Sequence, residues 1–138
     1  MAIFIEVDSH NRIVFSRVDG VLDFAACKEH MTRLRADPTF QQTYSQVLDF
    51  RNVDRLELSP DEVRILAKQT VFSPTSRRAF LVSTDLQFGL ARMFGTHRDI
   101  NGEGFVGVFR TVDQAADWIG HKPEFVEERL AKLGTTNV

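Results

Sequence analysis

The first hydrophobic residues of the chain lie in two short runs with the composition of β-strands. Residues Ala2 to Asp8 and Arg12 to Val18 are rich in Ile, Val and Phe, and the polar residues 8–11 between them have turn chemistry. The pattern predicts an antiparallel β-hairpin. Asp19-Gly20 is expected to end the second strand.

The next segment has the hydrophobic period of a helix. From Leu22 to Arg35 the apolar residues recur at steps of three and four, which is typical of an α-helix with one buried face. Asp23 is expected to cap this helix and Asp37-Pro38 to end it. The predicted buried face comprises Phe24, Cys27, Met31 and Leu34.

Three further helices are predicted from a hydroxyl residue followed three positions later by Glu or Gln, which together satisfy free amides at a helix start. They begin at Ser59, Thr84 and Thr111 and are expected to run to about Phe72, Gly95 and Gly120. Apolar runs at 46–50, 78–83 and 105–109 predict strands, 101–104 a turn, and 123–133 a terminal amphipathic helix.

The predicted order is therefore β β α β α β α β α α. Strands that alternate with crossover helices pair in parallel, whereas the first hairpin adds an antiparallel pair. We expect an α/β protein with a mixed β-sheet, an N-terminal β-hairpin and crossover helices. The 138 residues suit a single domain, residues 1–138, because chains usually divide only beyond about 250 residues.

Three short segments carry a family resemblance: Val47-Leu48-Asp49-Phe50, Asn52-Val53 and Leu56-Glu57-Leu58-Ser59. They parallel the strand, the Gly-Val-like bend and the Asp-Ser-Ser-Gly loop of the STAS domain, the module of sulfate transporters and anti-sigma-factor antagonists. The chain resembles more closely the divergent stand-alone bacterial members, and the similarity in element order covers Ala2 to Gly120. The resemblance implies a STAS-like fold and a non-catalytic, regulatory, protein-binding role in the bacterial cytoplasm.

The chain departs from that family at the phosphorylated serine of the antagonist members. In an ungapped comparison the serine falls on Leu58, its preceding acid on Glu57 and the following glycine on Pro60. The usual phospho-acceptor is therefore expected to be absent. Ser59 lies one position later, where helix capping accounts for it; phosphorylation of Ser59 is the alternative, since a helix N-terminus tolerates a dianion.

Composition and charge argue against several classes of binding partner. The net charge of −2 provides no basic excess for a nucleic-acid backbone. Glu6 and Asp8 interrupt the first apolar run, which indicates neither a signal peptide nor a membrane span, so we expect a cytoplasmic protein with no membrane partner. The single cysteine, Cys27, excludes an intramolecular disulfide and is expected to be buried and inert.

No residue pattern indicates catalysis. Nucleophile elbows and phosphate loops are absent from the sequence, and we expect no catalytic residue and no cofactor. The histidines lack the spacing of metal ligands, so no metal site is expected; they are His10, His30, His97 and His121.

Polar residues are predicted at the carboxyl ends of the parallel strands, where ligands and partners of α/β sheets gather. We expect an unidentified protein partner to dock on the loop and helix that follow Phe50, although solvated loop charge is the alternative for the arginines. The predicted partner-binding residues are Arg51, Asn52, Asp54, Arg55, Ser59 and Arg64. Arg77 and Arg78 are expected in an ordinary helix-to-strand loop.

A second function stays open on the sequence alone. The twelve phenylalanines are expected to fill the core, but they could instead line a cavity that carries a small apolar ligand. Residues 88–94 are apolar around much of the helix, and an exposed Phe88 or Met93 would suggest a homodimer face or an apolar groove. An enzyme is the third class and would require Asp49 or His97 to meet a nucleophile or a metal.

Overall fold

The computed structural model describes residues 2–69, 71–100 and 105–134. In this part of the chain six strands and five helices follow one another. The strands are β1 (Ala2–Asp8), β2 (Ile13–Asp23), β3 (Ser45–Asp49), β4 (Val53–Glu57), β5 (Arg78–Leu81) and β6 (Val106–Phe109). The helices are α1 (Phe24–Ala36), α2 (Pro60–Lys68), α3 (Asp85–Ile100), α4 (Val112–Ile119) and α5 (Pro123–Lys132). The turn predicted at 101–104 lies outside the described residues.

The sheet is mixed, as the order of elements predicts. Its strands lie in the order β1-β2-β3-β5-β6, and β4 pairs separately with β2. β1 and β2 form the antiparallel hairpin, whereas β2, β3, β5 and β6 pair in parallel through helical crossovers. The α/β class and the mixed sheet with its N-terminal hairpin are therefore confirmed.

The predicted end of β2 at Asp19-Gly20 is wrong. Gly20 has a φ of 86°, which an L residue rarely adopts, and the ladder shifts register between Gly20 and Val21. The glycine therefore produces a bulge and the strand continues to Asp23. β2 pairs with β3 up to Arg17 and with β4 from Gly20 onwards.

β4 is a strand that the sequence does not predict. Its segment was expected to be a bend and a loop, because Asp54, Arg55 and Glu57 interrupt the apolar residues. These three side chains are exposed, while Val53 is buried in a cluster with Val18 and Leu22 of β2. A five-residue strand that pairs only with β2 among the described strands needs no more apolar surface than this.

Helices cover both faces of the sheet. On one face α4 and α5 pack over Ile13, Phe15 and Val47 in one continuous core. On the other face, beneath α1, α2 and α3, the buried residues form three separate clusters. The second face is therefore less continuously packed than the first.

The buried side of α1 differs from the predicted one. The helix buries Ala26, His30 and Leu34, whereas three residues of the predicted stripe (Phe24, Cys27 and Met31) are only partly buried. A histidine can take a core position here because Ser16 provides it with a hydrogen-bond partner. The predicted cap at Asp23 is confirmed, since its carboxylate accepts from the Ala26 amide at 2.8 Å.

Two helix ends were also misplaced by the sequence. α2 ends at Lys68, and Phe72, its predicted last residue, is buried beyond the helix in the cluster around Leu34. α3 continues through Gly95 to Ile100. A glycine inside a helix costs only about 1 kcal/mol relative to alanine, so Gly95 does not end one by itself.

Candidate functional site

A pocket lies on the less continuously packed face of the sheet. It has a volume of about 110 Å³ and is bounded by α1, α2 and α3 above and by strands β2 to β5 below. Its walls include the residues at which strands end and helices begin, such as Leu22, Leu58 and Gln87. The pocket therefore reaches the edge of the sheet at which ligands of α/β proteins gather.

The pocket wall is mostly apolar. Twenty residues line it, and among these described residues only His30, Arg78 and Gln87 carry nitrogen or oxygen in the side chain. Four phenylalanines contribute rings, namely Phe50, Phe72, Phe80 and Phe94. An apolar wall with a few placed polar groups is the usual composition of a small-molecule site.

A row of buried polar side chains crosses the sheet beneath the pocket. The ring Nε2 of His30 lies 2.8 Å from the Ser16 hydroxyl, and the amide nitrogen of Gln46 donates to the same hydroxyl at 3.4 Å. Arg78 Nε donates to the Gln46 carbonyl oxygen at 3.0 Å. Because arginine can only donate, it fixes which end of the Gln46 amide faces it. The row thus joins α1, β2, β3 and β5.

Arg78 contributes a buried positive charge to the pocket. Its side chain is 7% exposed, and its guanidinium carbon lies 4.5, 5.2 and 5.3 Å from the ring centroids of Phe72, Phe80 and Phe94. Burial, with a contribution from the nearby charge of Arg98, lowers the pKa of Arg78 to about 9. The group therefore remains a cation at neutral pH. Arg78 begins β5, as the strand predicted at 78–83 requires, and not the helix-to-strand loop; aromatic faces favour its buried guanidinium there.

The other two titratable groups of the wall are held neutral. Burial, reinforced by the charges of Arg78 and Arg33, lowers the pKa of His30 to about 3. Burial, followed by the charges of Asp23 and Glu62, raises the pKa of the Cys27 thiol to about 12. The prediction that Cys27 is inert is supported, although the residue is only partly buried.

Gln87 holds the start of α3 against β4. Its side-chain oxygen accepts from the Ser83 amide at 2.9 Å, and its nitrogen donates to the Val53 carbonyl at 3.3 Å. The predicted cap at Thr84 is present, since the Thr84 hydroxyl accepts from the Gln87 amide at 3.1 Å. These bonds position the end of the pocket nearest to β4.

The predicted partner-binding residues lie on the surface near β4 and α2. Each of their three arginines pairs with a carboxylate of its own segment: Arg51 with Asp49, Arg55 with Glu57 and Arg64 with Asp61. The hydrogen bond from Arg51 to Asp49 raises the pKa of Arg51. Arg51 also lies 4.0 Å from Glu127 of α5, on the face of the sheet opposite the pocket.

The other three predicted residues have separate roles. Asn52 and Asp54 are exposed, and the Asn52 carbonyl accepts from the Gly20 amide at the bulge of β2. Ser59 forms the predicted capping box: its hydroxyl accepts from the Glu62 amide at 3.2 Å, and the Glu62 carboxylate accepts from the Ser59 amide at 2.9 Å. Among the described residues, no hydrogen bond or ion pair joins one of the six predicted residues to another.

Phe88 and Met93, the residues considered for a homodimer face, are both half-buried. Phe88 packs beneath α3 in the cluster around Phe80. On the same helix Leu90 and Phe94 line the pocket. Much of the apolar surface of residues 88–94 therefore lines the pocket or packs in the cluster beside it.

Two further findings concern other classes of site. No three His, Cys, Asp or Glu side chains converge as metal ligands within the described ranges. None of the helices described is both long enough and apolar enough to cross a bilayer.

The strand order, the parallel crossovers and the helices on both faces define an α/β protein with a STAS-like fold. The chain is similar in structure to an uncharacterized protein of the DUF3478 family from Shewanella loihica PV-4, whose crystal structure has a SpoIIAA-like fold. The TM-score is 0.53 at 20% sequence identity, over 86% of this chain and 92% of that chain. No protein-family model and no curated protein matches the sequence. The similarity confirms the fold that the sequence resemblance implied.

Proposed function

We propose that this protein binds a small apolar ligand non-covalently in the pocket beneath α1, α2 and α3, and that it acts by binding alone. The observation that carries the proposal is the pocket, with its volume of about 110 Å³ and its nearly continuous apolar wall. An apolar ligand gains free energy there because its surface leaves water and because it contacts aromatic and aliphatic side chains.

The size of the pocket restricts the ligand to a small molecule. An engineered protein cavity of about 150 Å³ lined by Leu, Ile and Phe admits benzene. A pocket of about 110 Å³ therefore suits a ligand somewhat smaller than benzene or a short alkyl chain. A long lipid chain does not fit this volume.

The chemistry of the wall supports binding without catalysis. The raised pKa of Cys27, about 12, keeps its sulfur protonated and weakly nucleophilic at neutral pH. The lowered pKa of His30, about 3, makes the imidazole a poor base, and its Nε2 is already bonded to Ser16. The wall offers neither an activated nucleophile nor a base poised near neutral pH.

Native mass spectrometry after gentle purification tests the proposal. We expect a retained small apolar molecule, or binding of added short alcohols that raises the melting temperature by mass action. A matched pair of variants on α1 tests where the ligand binds. Ala26→Leu places a larger side chain in the pocket wall, and Ala25→Leu places the same side chain on the exposed side of the helix as a control. We expect the first to abolish binding and the second to preserve it. A bare chain that binds none of the alcohols would refute the proposal.

A protein-recognition surface around β4 and α2 is the second candidate. It is favoured by the exposure of Asn52, Asp54, Arg55 and Arg64, and by the single pairing of β4, with β2, among the described strands. The partner would be another protein or a second copy of this chain, and the role would be regulatory. This surface is compatible with ligand binding, since the arginines lie outside the pocket wall.

A further inference from the structure

We infer that the ligand of the pocket is a small uncharged carbonyl compound, such as a ketone, whose oxygen accepts a hydrogen bond from the Nδ1–H of His30. This inference rests on the proposed function and names the ligand class. Its basis is a ring nitrogen in the pocket wall that forms no hydrogen bond with any described residue, together with a row of hydrogen bonds that makes this nitrogen a donor.

The row of buried polar side chains beneath the pocket has one direction. Arg78 Nε donates to the side-chain oxygen of Gln46, so the nitrogen of the same amide faces Ser16 and donates to its hydroxyl oxygen. The Ser16 side chain is fully buried, and the acceptor that the described residues offer to its hydroxyl hydrogen is the Nε2 of His30, at 2.8 Å. A hydroxyl hydrogen left without an acceptor there would carry the full desolvation penalty of a buried donor. The serine therefore donates to the histidine.

The direction of the row decides the tautomer of His30. A neutral imidazole carries one ring hydrogen, and the nitrogen that accepts a hydrogen bond is the one without it. The ring is neutral at pH 7, because burial and the charges of Arg78 and Arg33 lower its pKa to about 3. Since Nε2 accepts from Ser16, the hydrogen lies on Nδ1. His30 therefore presents one N–H donor, at Nδ1.

This donor can be reached from the pocket. Within the described ranges no acceptor bonds to the Nδ1 of His30, and the atom is not fully enclosed by protein atoms. The residue is only 8% exposed, and the open space that its ring borders is the pocket. Gln87, the other uncharged amide or imidazole side chain of the wall, is occupied: its oxygen accepts from Ser83 and its nitrogen donates to Val53. A ligand that forms a hydrogen bond in the pocket is therefore expected to form it with His30.

A single neutral donor in an apolar wall selects an uncharged group that only accepts. A carbonyl oxygen meets this requirement, whereas an alcohol that accepts the same bond must bury its own hydroxyl hydrogen against apolar side chains. A charged group costs more to bury than one neutral hydrogen bond returns. The charges of Arg33 and Arg78, which oppose protonation of His30, also oppose a cationic ligand. With a volume of about 110 Å³, the pocket suits a ketone of about five carbons.

NMR of the complete wild-type chain tests the donor and its bond directly. Long-range nitrogen–proton correlation spectra distinguish a protonated from an unprotonated ring nitrogen, and the His30→Gln variant identifies the signals of His30 by their loss. We expect Nδ1 to be protonated at pH 7 and its signal to move when cyclopentanone is added. The carbonyl carbon of bound cyclopentanone should resonate close to its position in water, where the oxygen accepts hydrogen bonds. A protonated Nε2, or a bound carbonyl that resonates as it does in a hydrocarbon solvent, would overturn this inference and leave the proposed function standing.

Two probes of the same shape assign the hydrogen bond to His30. Methylenecyclopentane has a CH₂ group in place of the oxygen of cyclopentanone, and the affinities of both are measured by amide chemical-shift titration. We expect the ketone-to-alkene affinity ratio to fall at least about tenfold in His30→Phe, because only the ketone loses a hydrogen bond. His10→Phe, in the exposed β1–β2 turn, is the control and should keep the wild-type ratio.

The possible results separate this inference from the proposed function. An unchanged ratio in a folded His30→Phe would overturn the inference alone. Binding of neither probe to the wild-type chain, with a bare chain in native mass spectrometry, would overturn both. If His30→Phe does not fold, the tautomer of His30 and the carbonyl resonance in the wild-type chain decide.

Discussion

The buried imidazole of His30 is expected to make the free energy of unfolding depend on pH. Its folded-state pKa is lowered from 6.5 to about 3, because burial and the charges of Arg78 and Arg33 oppose protonation. The unfolded chain therefore takes up a proton as the pH falls through 6.5, whereas the folded chain does not until about pH 3. The stability that this residue contributes is complete above pH 6.5 and is lost progressively below it.

The size of the effect follows from the shift in pKa. Each pH unit below the unfolded pKa shifts the free energy of unfolding by about 1.4 kcal/mol for one such group. Between pH 6.5 and 4.5 the wild-type chain is therefore expected to lose about 2 kcal/mol through His30 alone. This window lies above the usual pKa values of carboxylates, and a histidine whose pKa is the same in the folded and unfolded chains adds no pH dependence to the stability.

The His30→Gln variant isolates this contribution. It removes the titrating ring while retaining a polar group that can reach Ser16, so its free energy of unfolding should be lower at pH 7 but much less dependent on pH between 6.5 and 4.5. Urea unfolding at several pH values, followed by the fluorescence of the half-buried Trp118, measures both quantities. His10→Gln, in the exposed β1–β2 turn, is the control and should keep the wild-type dependence. A His30→Gln chain that keeps the wild-type dependence would refute the assignment of a buried, neutral His30.

Three further predictions concern the cap, the thiol and the predicted surface. Ser59→Ala should lower the free energy of unfolding by about 1 kcal/mol in urea titrations, because the capping box is lost; an unchanged value would contradict the capping role. Cys27, with its pKa near 12 instead of 9, should hold about a thousandfold less thiolate at neutral pH and react slowly with a disulfide reagent until urea unfolds the chain. Rapid labelling of the folded chain would contradict the raised pKa of the Cys27 thiol. Arg51→Ala, Arg55→Ala and Arg64→Glu should each weaken a pull-down of an identified protein partner, and unchanged affinity in all three would count against that surface.

Much of the fold can be predicted from local sequence, because the decisive signals are local. Capping at Ser59 and Thr111 and the left-handed residue Gly120, with φ of 77°, depend on a few neighbouring residues. β4 could not be predicted in the same way, because its pairing with the end of β2 depends on a bulge at Gly20. Local sequence patterns do not predict which strand such a short strand pairs with.

The polar row was missed for a related reason. The spacing of the histidines tests His30 only as a metal ligand, and the strand predicted at 78–83 does not indicate that Arg78, its first residue, is buried. Both residues are stable in the interior because they form hydrogen bonds with strands that are distant in sequence. His30 bonds to Ser16 of β2, and Arg78 bonds to Gln46 of β3, which in turn bonds to Ser16. One signal was available: Gln46 is the second residue of β3 and Arg78 the first of β5, and both precede apolar residues. Polar residues at matching positions of neighbouring strands can indicate a buried polar row.

The continuous hydrophobic core and the pocket lie on opposite faces of the sheet. Residues beneath α4 and α5 form an uninterrupted core, while the pocket lies against the opposite face. Because side chains alternate between the faces, a substitution that reshapes the pocket leaves the packing of that core largely unchanged. Substitutions under α1 to α3 can therefore change the shape of the pocket without loss of the core that stabilises the fold.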